Sequence, residues 1–210
     1  RYQEKINRSA VKQAPHIIRL DTVDSTSTYI RSHPELWDRQ FCVVTAREQT
    51  AGRGRFDRKW LSEPGLDLTF SMVYRPPRNV SDISCVTLLA GLAAYRALLP
   101  FCGVGLNLKW PNDIRWTDKK IGGILCELVP GPVGTIIIIG IGINVNRTRF
   151  PEEISATAAS LKTAAGADHP VEALFTGVLG CLIELLSDLR IPLDVSLVSE
   201  WSAASQSIGS

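Results

Sequence analysis

Closely spaced cysteines are absent from this sequence. The chain has five cysteines, and the nearest two, Cys85 and Cys102, are 17 residues apart. Zinc signatures and disulfide frameworks depend on short, recurring cysteine spacings, so neither kind of site is indicated. We therefore expect the cysteines to be small buried hydrophobic residues of a protein in a reducing compartment.

A long hydrophobic run and an excess of charge of one sign are also absent. The longest apolar run, residues 135–143, is about half the length of a membrane-spanning helix. Residues 1–15 are polar and have no apolar core, so we do not expect them to be a signal peptide. Lys and Arg number 23 against 21 Asp and Glu, so the net charge of +2 does not argue for nucleic acid. We expect a cytoplasmic protein that binds neither DNA nor a membrane.

The composition that is present is that of one folded domain. The chain has 210 residues, of which 45% are hydrophobic and 21% charged. Strands and helices alternate irregularly, which predicts an α+β fold with a mixed, largely antiparallel sheet and helices packed on one face. The predicted strands are 16–20, 41–46, a half-buried strand at 66–74, 106–110, the hairpin 113–116 with 121–129, and a central strand at 135–143; the predicted long helices run from Ser81 to about Leu99 and from Pro170 to about Leu189.

The densest chemical signal is the segment 49–60, which reads QTAGRGRFDRKW. Four cationic side chains and two glycines lie within nine residues, between two predicted strands. Glycine lets the backbone approach a ligand, and arginine offers a fork for phosphate or carboxylate. A P-loop would need Gly-Lys-Ser/Thr before a helix, and that pattern is missing. By itself the segment is also compatible with a solvated basic loop or a nucleic-acid-binding arm.

Three further motifs follow along the chain. KWPND at 109–113 ends a short apolar strand, so Lys109 is held as a point charge suited to a reacting oxygen. KIGGIL at 120–125 and GIGINVN at 140–146 place glycines inside strands, which favours close approach of a ligand or of another backbone. Taken singly, each has an ordinary alternative: a surface turn for the first and a bulge or tightly packed sheet for the others.

Together, in this order, the four motifs resemble the biotin protein ligase family, whose catalytic domain carries GRGRxGRxW, KWPND, KxxGIL and GxGIN. DSTS at 24–27 is similar to the D-S-T-N of that family, and Gln49 also matches. The resemblance covers roughly residues 17–209 and implies the catalytic fold shared with lipoate ligases. Two positions depart from the pattern: Ser27 stands where the family usually has Asn, and Asp57 where it has Gly. Asp57 lowers the local positive field, which predicts weaker retention of the adenylate.

The resemblance implies a two-step reaction in which biotin and ATP form biotinyl-5′-AMP and a lysine of a biotin carboxyl carrier domain then takes the biotinyl group. Mg²⁺ is expected with ATP, although its protein ligands are unknown. Lys109 is expected to contact the biotin carboxylate and the α-phosphate, and Lys109→Ala is expected to slow the first step by on the order of 10²–10³. By the resemblance, the catalytic residues are Lys109 and Arg55; biotin and the adenylate bind Ser25, Thr26, Ser27, Gln49, Gly52, Arg53, Gly54, Arg55, Arg58, Trp60, Lys109, Gly122 and Gly123; the nucleotide binds Asn112, Lys120 and Asn144.

The expected organisation is one catalytic domain over residues 1–210. Residues 200–209 resemble the lead-in to a small C-terminal β domain, which we expect to be absent from this chain. Only about 15 residues precede the first strand, which leaves no room in this chain for the DNA-binding head of a biotin-operon repressor. A homodimer is left open.

Two other functions are left open at this point. A lipoate or octanoate ligase or transferase of the same fold would need a different glycine-rich signature and a histidine, and the three histidines lie near none of the motifs. A non-catalytic biotin or nucleotide sensor would follow if Asp57 disables the basic segment.

Overall fold

A seven-stranded mixed sheet forms the centre of the protein. The computed structural model describes residues 14–56, 58–77, 83–131, 134–190 and 192–205. Within them the strands are β1 (Ile17–Val23), β2 (Val43–Gln49), β3 (Gly52–Arg53), β4 (Lys59–Trp60), β5 (Asp67–Tyr74), β6 (Leu106–Lys109), β7 (Asp113–Trp116), β8 (Lys119–Gly131) and β9 (Gly134–Asn144).

The strand order in the sheet is β1-β2-β5-β9-β8-β7-β6. Only β1 and β2 are parallel; the other neighbouring pairs are antiparallel. The prediction of a largely antiparallel mixed sheet is therefore confirmed, with the isoleucine-rich β9 at its centre and β7–β8 as the predicted hairpin. β3 and β4 form a separate two-stranded ribbon that holds the basic segment.

Helices cover both faces of the sheet. The helices are α1 (Thr26–Ser32), α2 (Ile83–Cys102), α3 (Glu152–Ser155), α4 (Leu161–Ala165), α5 (Val171–Ser187) and α6 (Val195–Ala204). The large core lies on one face, where α2 and α5 pack on side chains such as Phe70 and Ile139. Ile30 of α1 packs with Val73 and Ile138 on the opposite face. Packing on one face therefore describes the long helices but not α1.

The helix α2 is the one described helix that is long and apolar enough, by length and composition, to cross a bilayer. In this fold it packs against β8 and α5. Ser81, the predicted capping residue, lies outside the described residues, as do residues 206–209 of the predicted C-terminal lead-in.

The strand β5 differs from its prediction because all eight of its residues are buried, whereas the alternating pattern indicates a half-buried strand. Its apolar side faces α2 and α5, and its polar side faces α1. Polar side chains of β5 have partners inside the protein: Thr69 donates to the carbonyl of Ala46, and Oδ2 of Asp67 pairs with Arg147. A polar residue on this strand therefore signals a buried contact rather than exposure to solvent.

Candidate active site

A cavity of about 470 Å³ opens between the α1 face of the sheet and the basic loop, defined here as residues 52–60. This volume is within the range of small-molecule sites. Its wall changes in character from one part to another: buried hydroxyl and amide groups from α1, β2 and β5, glycines from β8 and β9, and cationic side chains from the basic loop and β8. The cavity is thus matched to a ligand that is polar but uncharged in one part and anionic in another.

The uncharged part is the hydroxyl cluster, which consists of Thr26, Ser27 and Ser71 together with the amide of Gln49. Oε1 of Gln49 accepts from the backbone N–H of Thr26 at 2.8 Å and lies 3.0 Å from the Thr26 hydroxyl. Ser71 Oγ lies 2.8 Å from both Thr26 Oγ1 and Ser27 Oγ. These three hydroxyl residues are almost fully buried. Ser25 precedes α1 and also lines the cavity.

The glycines of β9 make room for the ligand and for Trp60. A Cβ on Gly140 would lie 3.0 Å from Ser27 Oγ, and a Cβ on Gly142 would collide with the Trp60 indole. Any side chain at these two positions would displace the walls of the site. Nε1 of Trp60 is buried and has no hydrogen-bond partner among the described residues, so it is a donor that a ligand can satisfy.

Lys120 is the cation that the sheet itself brings to the cavity. Its ammonium lies 2.6 Å from Oδ1 of Asp113, which also lines the cavity. Its backbone N–H donates to Thr157 and its carbonyl accepts from Ala159, so the residue is held from both sides. A positive charge fixed in this way needs little reorganisation when negative charge develops beside it.

The basic loop supplies arginines to the same cavity. The guanidinium of Arg55 stacks 5.0 Å from the ring centroid of Phe56, which is 82% exposed at the tip of the loop. Arg53 forms an ion pair with Glu127 of β8 at 3.1 Å, and Glu127 also pairs with Arg31 of α1 at 2.8 Å. Glu127 therefore ties the start of the loop to the sheet and to α1.

The two asparagines predicted to bind the nucleotide both form hydrogen bonds to backbone carbonyl groups. Nδ2 of Asn112 donates to the carbonyl of Ile124, and Nδ2 of Asn144 donates to the carbonyl of Ala159, each at 2.9 Å. Both residues line the cavity. These bonds use the side-chain nitrogens, so the side-chain oxygens can still accept hydrogen bonds from other groups.

Most of the predicted site residues come together. The cavity wall contains Ser25, Thr26, Ser27, Gln49, Arg53, Gly54, Arg55, Arg58, Trp60, Asn112, Lys120, Gly123 and Asn144.

Three predicted residues, Lys109, Gly52 and Gly122, are not part of the cavity wall. Lys109 is exposed at the end of β6, where its register partner on β7 is Asp113, a residue of the cavity wall. Gly52 and Gly122 have packing roles instead. A Cβ on Gly52 would collide with the Trp60 carbonyl, and one on Gly122 would lie 2.9 Å from the Gly142 carbonyl.

Sequence reasoning missed several residues of the site. Ser71 is a single polar residue of an alternating strand, and nothing in its neighbourhood in the sequence marks it. Asp113 is the last residue of the KWPND motif, and Glu127 lies two residues after KIGGIL. Their closeness to these motifs in the sequence is the signal that could have identified them. Arg147 lines the cavity while 2% exposed, and the GIGINVN motif ends one residue before it.

Arg147 connects the segment after the basic loop to the sheet. Its Nη2 donates to the carbonyl of Leu61 at 3.0 Å and lies 2.6 Å from Oδ2 of Asp67. Nε of Arg147, 4.0 Å from Oε1 of Glu63, and Oδ1 of Asp67 are buried without a hydrogen-bond partner among the described residues. Burial raises the pKa of Asp67 above its usual value even though Arg147 and backbone N–H groups oppose that rise.

Asp57 lies outside the described residues, so its predicted effect on adenylate retention stays a prediction. Among the described residues no group of three or more His, Cys, Asp or Glu side chains is placed to hold a metal ion. Mg²⁺ bound to a nucleotide usually takes only one or two carboxylate ligands from the protein. Asp113 is a carboxylate in the cavity wall and could supply one of them.

The chain belongs to the Biotin/lipoate A/B protein ligase family, whose model matches residues 20–144. The bifunctional ligase/repressor BirA of Bacillus subtilis is 37% identical over 154 residues, which are 72% of this chain and 47% of that protein. The biotin–[acetyl-CoA-carboxylase] ligase of Mycobacterium tuberculosis is 35% identical over 127 residues, 57% of this chain and 44% of that protein. The chain thus spans about half the length of these curated relatives.

Solved structures agree with this assignment. The biotin protein ligase from Aquifex aeolicus in complex with biotin and ATP superposes with a TM-score of 0.80 at 31% identity, over 91% of this chain and 78% of that one. The biotin protein ligase from Leishmania major in complex with biotinyl-5-AMP superposes with a TM-score of 0.74 at 27% identity, over 91% of this chain and 81% of that one. The predicted resemblance to biotin protein ligases is therefore confirmed.

Proposed function

We propose that this cavity joins biotin to AMP, releasing pyrophosphate from ATP, and that the biotinyl group then passes to a lysine of a biotin carrier domain. The observation that carries the proposal is the division of one cavity into the uncharged hydroxyl cluster and the cationic groups of Lys120, Arg53 and Arg55. Biotin has a matching form, because an uncharged ureido ring and a carboxylate lie at opposite ends of an apolar chain.

In the first step, an oxygen of the biotin carboxylate attacks the α-phosphorus of ATP, and the bond to the bridging β-phosphate oxygen breaks. Two anions must approach each other, so fixed cations are the main requirement. Lys120 is held by Asp113 in the wall, and Arg55 lines the same cavity. Lys120 is thus the principal cation of the proposed step, in the role that the sequence assigned to Lys109.

In the second step, a neutral lysine amine of the carrier attacks the acyl carbon, AMP leaves with the electron pair of the anhydride bond, and the amine loses a proton. The mixed anhydride is prone to hydrolysis, so a loop that covers the cavity would protect it. The basic loop is a candidate for this role, because Arg53, Gly54 and Arg55 line the cavity.

The relatives support biotin and a carboxyl carrier as substrates. The Mycobacterium tuberculosis relative is named a biotin–[acetyl-CoA-carboxylase] ligase, and the Leishmania major structure holds biotinyl-5-AMP. None of the five cysteines, all of which lie in the described residues, forms a disulfide, which supports a cytoplasmic setting, in which thiols stay reduced.

The test is transfer to a carrier. The purified chain is incubated with ATP, Mg²⁺, biotin and a biotin carrier domain, with a carrier whose target lysine is replaced by arginine as the matched control. We expect biotin on the lysine carrier alone, and no label when lipoate replaces biotin. Transfer of lipoate in place of biotin, or an unlabelled lysine carrier, would refute the proposal.

A further inference from the structure

We infer that Ser71 is a positioning residue that makes Ser27 a hydrogen-bond acceptor toward the cavity, so that the hydroxyl cluster selects a ligand with an N–H group at that point. The inference rests on the proposed function for the identity of the ligand. It adds a residue that belongs to none of the four motifs and gives a direction to each hydrogen bond of the cluster.

The direction of the hydrogen bonds begins at Gln49. The backbone N–H of Thr26 can only donate, so the amide atom 2.8 Å from it must be the oxygen, Oε1. That oxygen cannot donate, and the Thr26 hydroxyl 3.0 Å away must therefore donate to it. The only hydroxyl proton of Thr26 is thereby used.

The donor and the acceptor in the two remaining hydrogen bonds, Thr26 with Ser71 and Ser71 with Ser27, are then determined. Thr26 Oγ1 has no second proton, so at 2.8 Å it accepts from Ser71. Ser71 has given its own proton to Thr26, so it accepts from Ser27 at 2.8 Å. Ser71 is 0% exposed, and no solvent molecule can compete for these positions. Each hydroxyl carries a single proton, and none is left over.

Ser27 ends the chain of bonds with lone pairs and no free proton. It lines the cavity, and Gly140 leaves the space beside its oxygen open, since a Cβ there would lie 3.0 Å away. A buried acceptor that is left without a donor costs free energy, so a ligand that brings an N–H there is favoured over one that brings an oxygen. The ureido ring of biotin offers two N–H groups, and we assign one of them to Ser27.

The experiment compares biotin with its two cyclic carbamate analogues, in each of which one ureido N–H is replaced by oxygen. This replacement exchanges a donor for an acceptor with almost no change in size. Dissociation constants are measured by calorimetry on the full chain without ATP. We expect the wild-type protein to bind one of the carbamates more weakly than biotin, by on the order of 10- to 100-fold.

The variant Ser71→Ala removes the acceptor of the Ser27 proton and frees the Ser27 hydroxyl to rotate. Ser27 can then donate to the carbamate oxygen or accept from biotin, so the ratio of the two dissociation constants should fall to within about threefold. A merely structural role would weaken both ligands alike and leave the ratio unchanged.

Two further variants complete the test. Thr69→Val removes a buried hydroxyl from the same strand, outside the cavity wall, and should keep the wild-type ratio. Ser27→Ala removes the acceptor itself, so it should abolish the discrimination and weaken biotin as well; it tests the inference even if Ser71→Ala does not fold.

An unchanged ratio in Ser71→Ala, or an equal loss of discrimination in Thr69→Val, would overturn the inference. So would a Ser27→Ala variant that still discriminates between the two ligands. A wild-type protein that binds biotin but rejects neither carbamate would overturn it and leave the proposed function standing. A wild-type protein that does not bind biotin would overturn both.

Discussion

The side chain of Lys120 lies in the cavity wall and is fixed by Asp113, whereas Lys109 is exposed at the sheet edge. Groups that stabilise only the transition state affect the rate more than ground-state binding. We therefore expect Lys120→Ala to slow formation of biotinyl-5′-AMP by on the order of 10²–10³, measured in a single turnover with excess enzyme.

The matched control for this prediction is Lys109→Ala, which removes the same charge from a neighbouring motif. Its single-turnover rate should stay within about threefold of wild type. Circular dichroism checks that both variants fold. The opposite pattern, with a slow Lys109→Ala and a nearly normal Lys120→Ala, would return the principal role to Lys109.

Arg147 and Asp67 form a buried ion pair whose loss should be costly. Their side chains are 3% and 0% exposed, so Arg147→Met would leave the Asp67 carboxylate buried without its counter-ion. Removing one partner of such a pair typically costs about 3–5 kcal/mol in the free energy of unfolding. Urea denaturation at neutral pH measures the loss.

The same variant has a pH dependence of known sign. Burial already raises the pKa of Asp67, and the loss of Arg147 raises it further. A folded-state pKa above the unfolded value means that the folded protein binds the extra proton, so stability increases as the pH falls through the folded-state pKa. The deficit of Arg147→Met against wild type should therefore shrink on going from pH 7 to about pH 5. A deficit that is constant or grows would contradict the burial of an uncompensated carboxylate.

Among the elements, the basic loop is the one whose environment ligands should change most. Arg53, Phe56 and Arg58 are exposed, and the two ends of the loop pair with each other as the short ribbon of β3 and β4. Biotin and ATP together supply anionic groups that the arginines can bind, which should protect the loop. We expect trypsin cleavage after Arg53, Arg55 or Arg58 to slow when both ligands are present.

The control for loop protection is cleavage at a site far from the cavity, for example after Arg190 beyond α5, which should not change. Biotin with a non-nucleotide polyphosphate in place of ATP should protect less than biotin with ATP. Equal cleavage of the loop with and without ligands would show that the basic loop does not close over them.

Periodicity predicted the individual elements well and their surroundings less well. The apolar run of β9 and the apolar side of α5 are local patterns, and both elements form as predicted. The burial of β5 on both sides depends on α1, which is about 40 residues away in the chain, and no local pattern reports that contact. Ser71 was missed for the same reason.

Across the whole molecule, the order of the motifs predicted a shared site. Each motif lies in a loop or at the end of a strand, where the sheet can bring several of them to one cavity. Thirteen of the sixteen predicted residues line the cavity wall. Lys109 does not, although Asn112 and Asp113 of the same motif do, because membership of a motif does not determine which of its side chains reach the cavity. Gly52 and Gly122 do not, because a glycine that permits tight packing has the same local signal as one that contacts a ligand.

The central claim is that this one cavity binds biotin and ATP together and couples them. The most direct measurement is exchange of labelled pyrophosphate into ATP by the purified chain. We predict exchange that depends on biotin, does not occur with lipoate, and falls with Lys120→Ala far more than with Lys109→Ala. Exchange that is absent with biotin, or that proceeds equally well without it, would contradict the account.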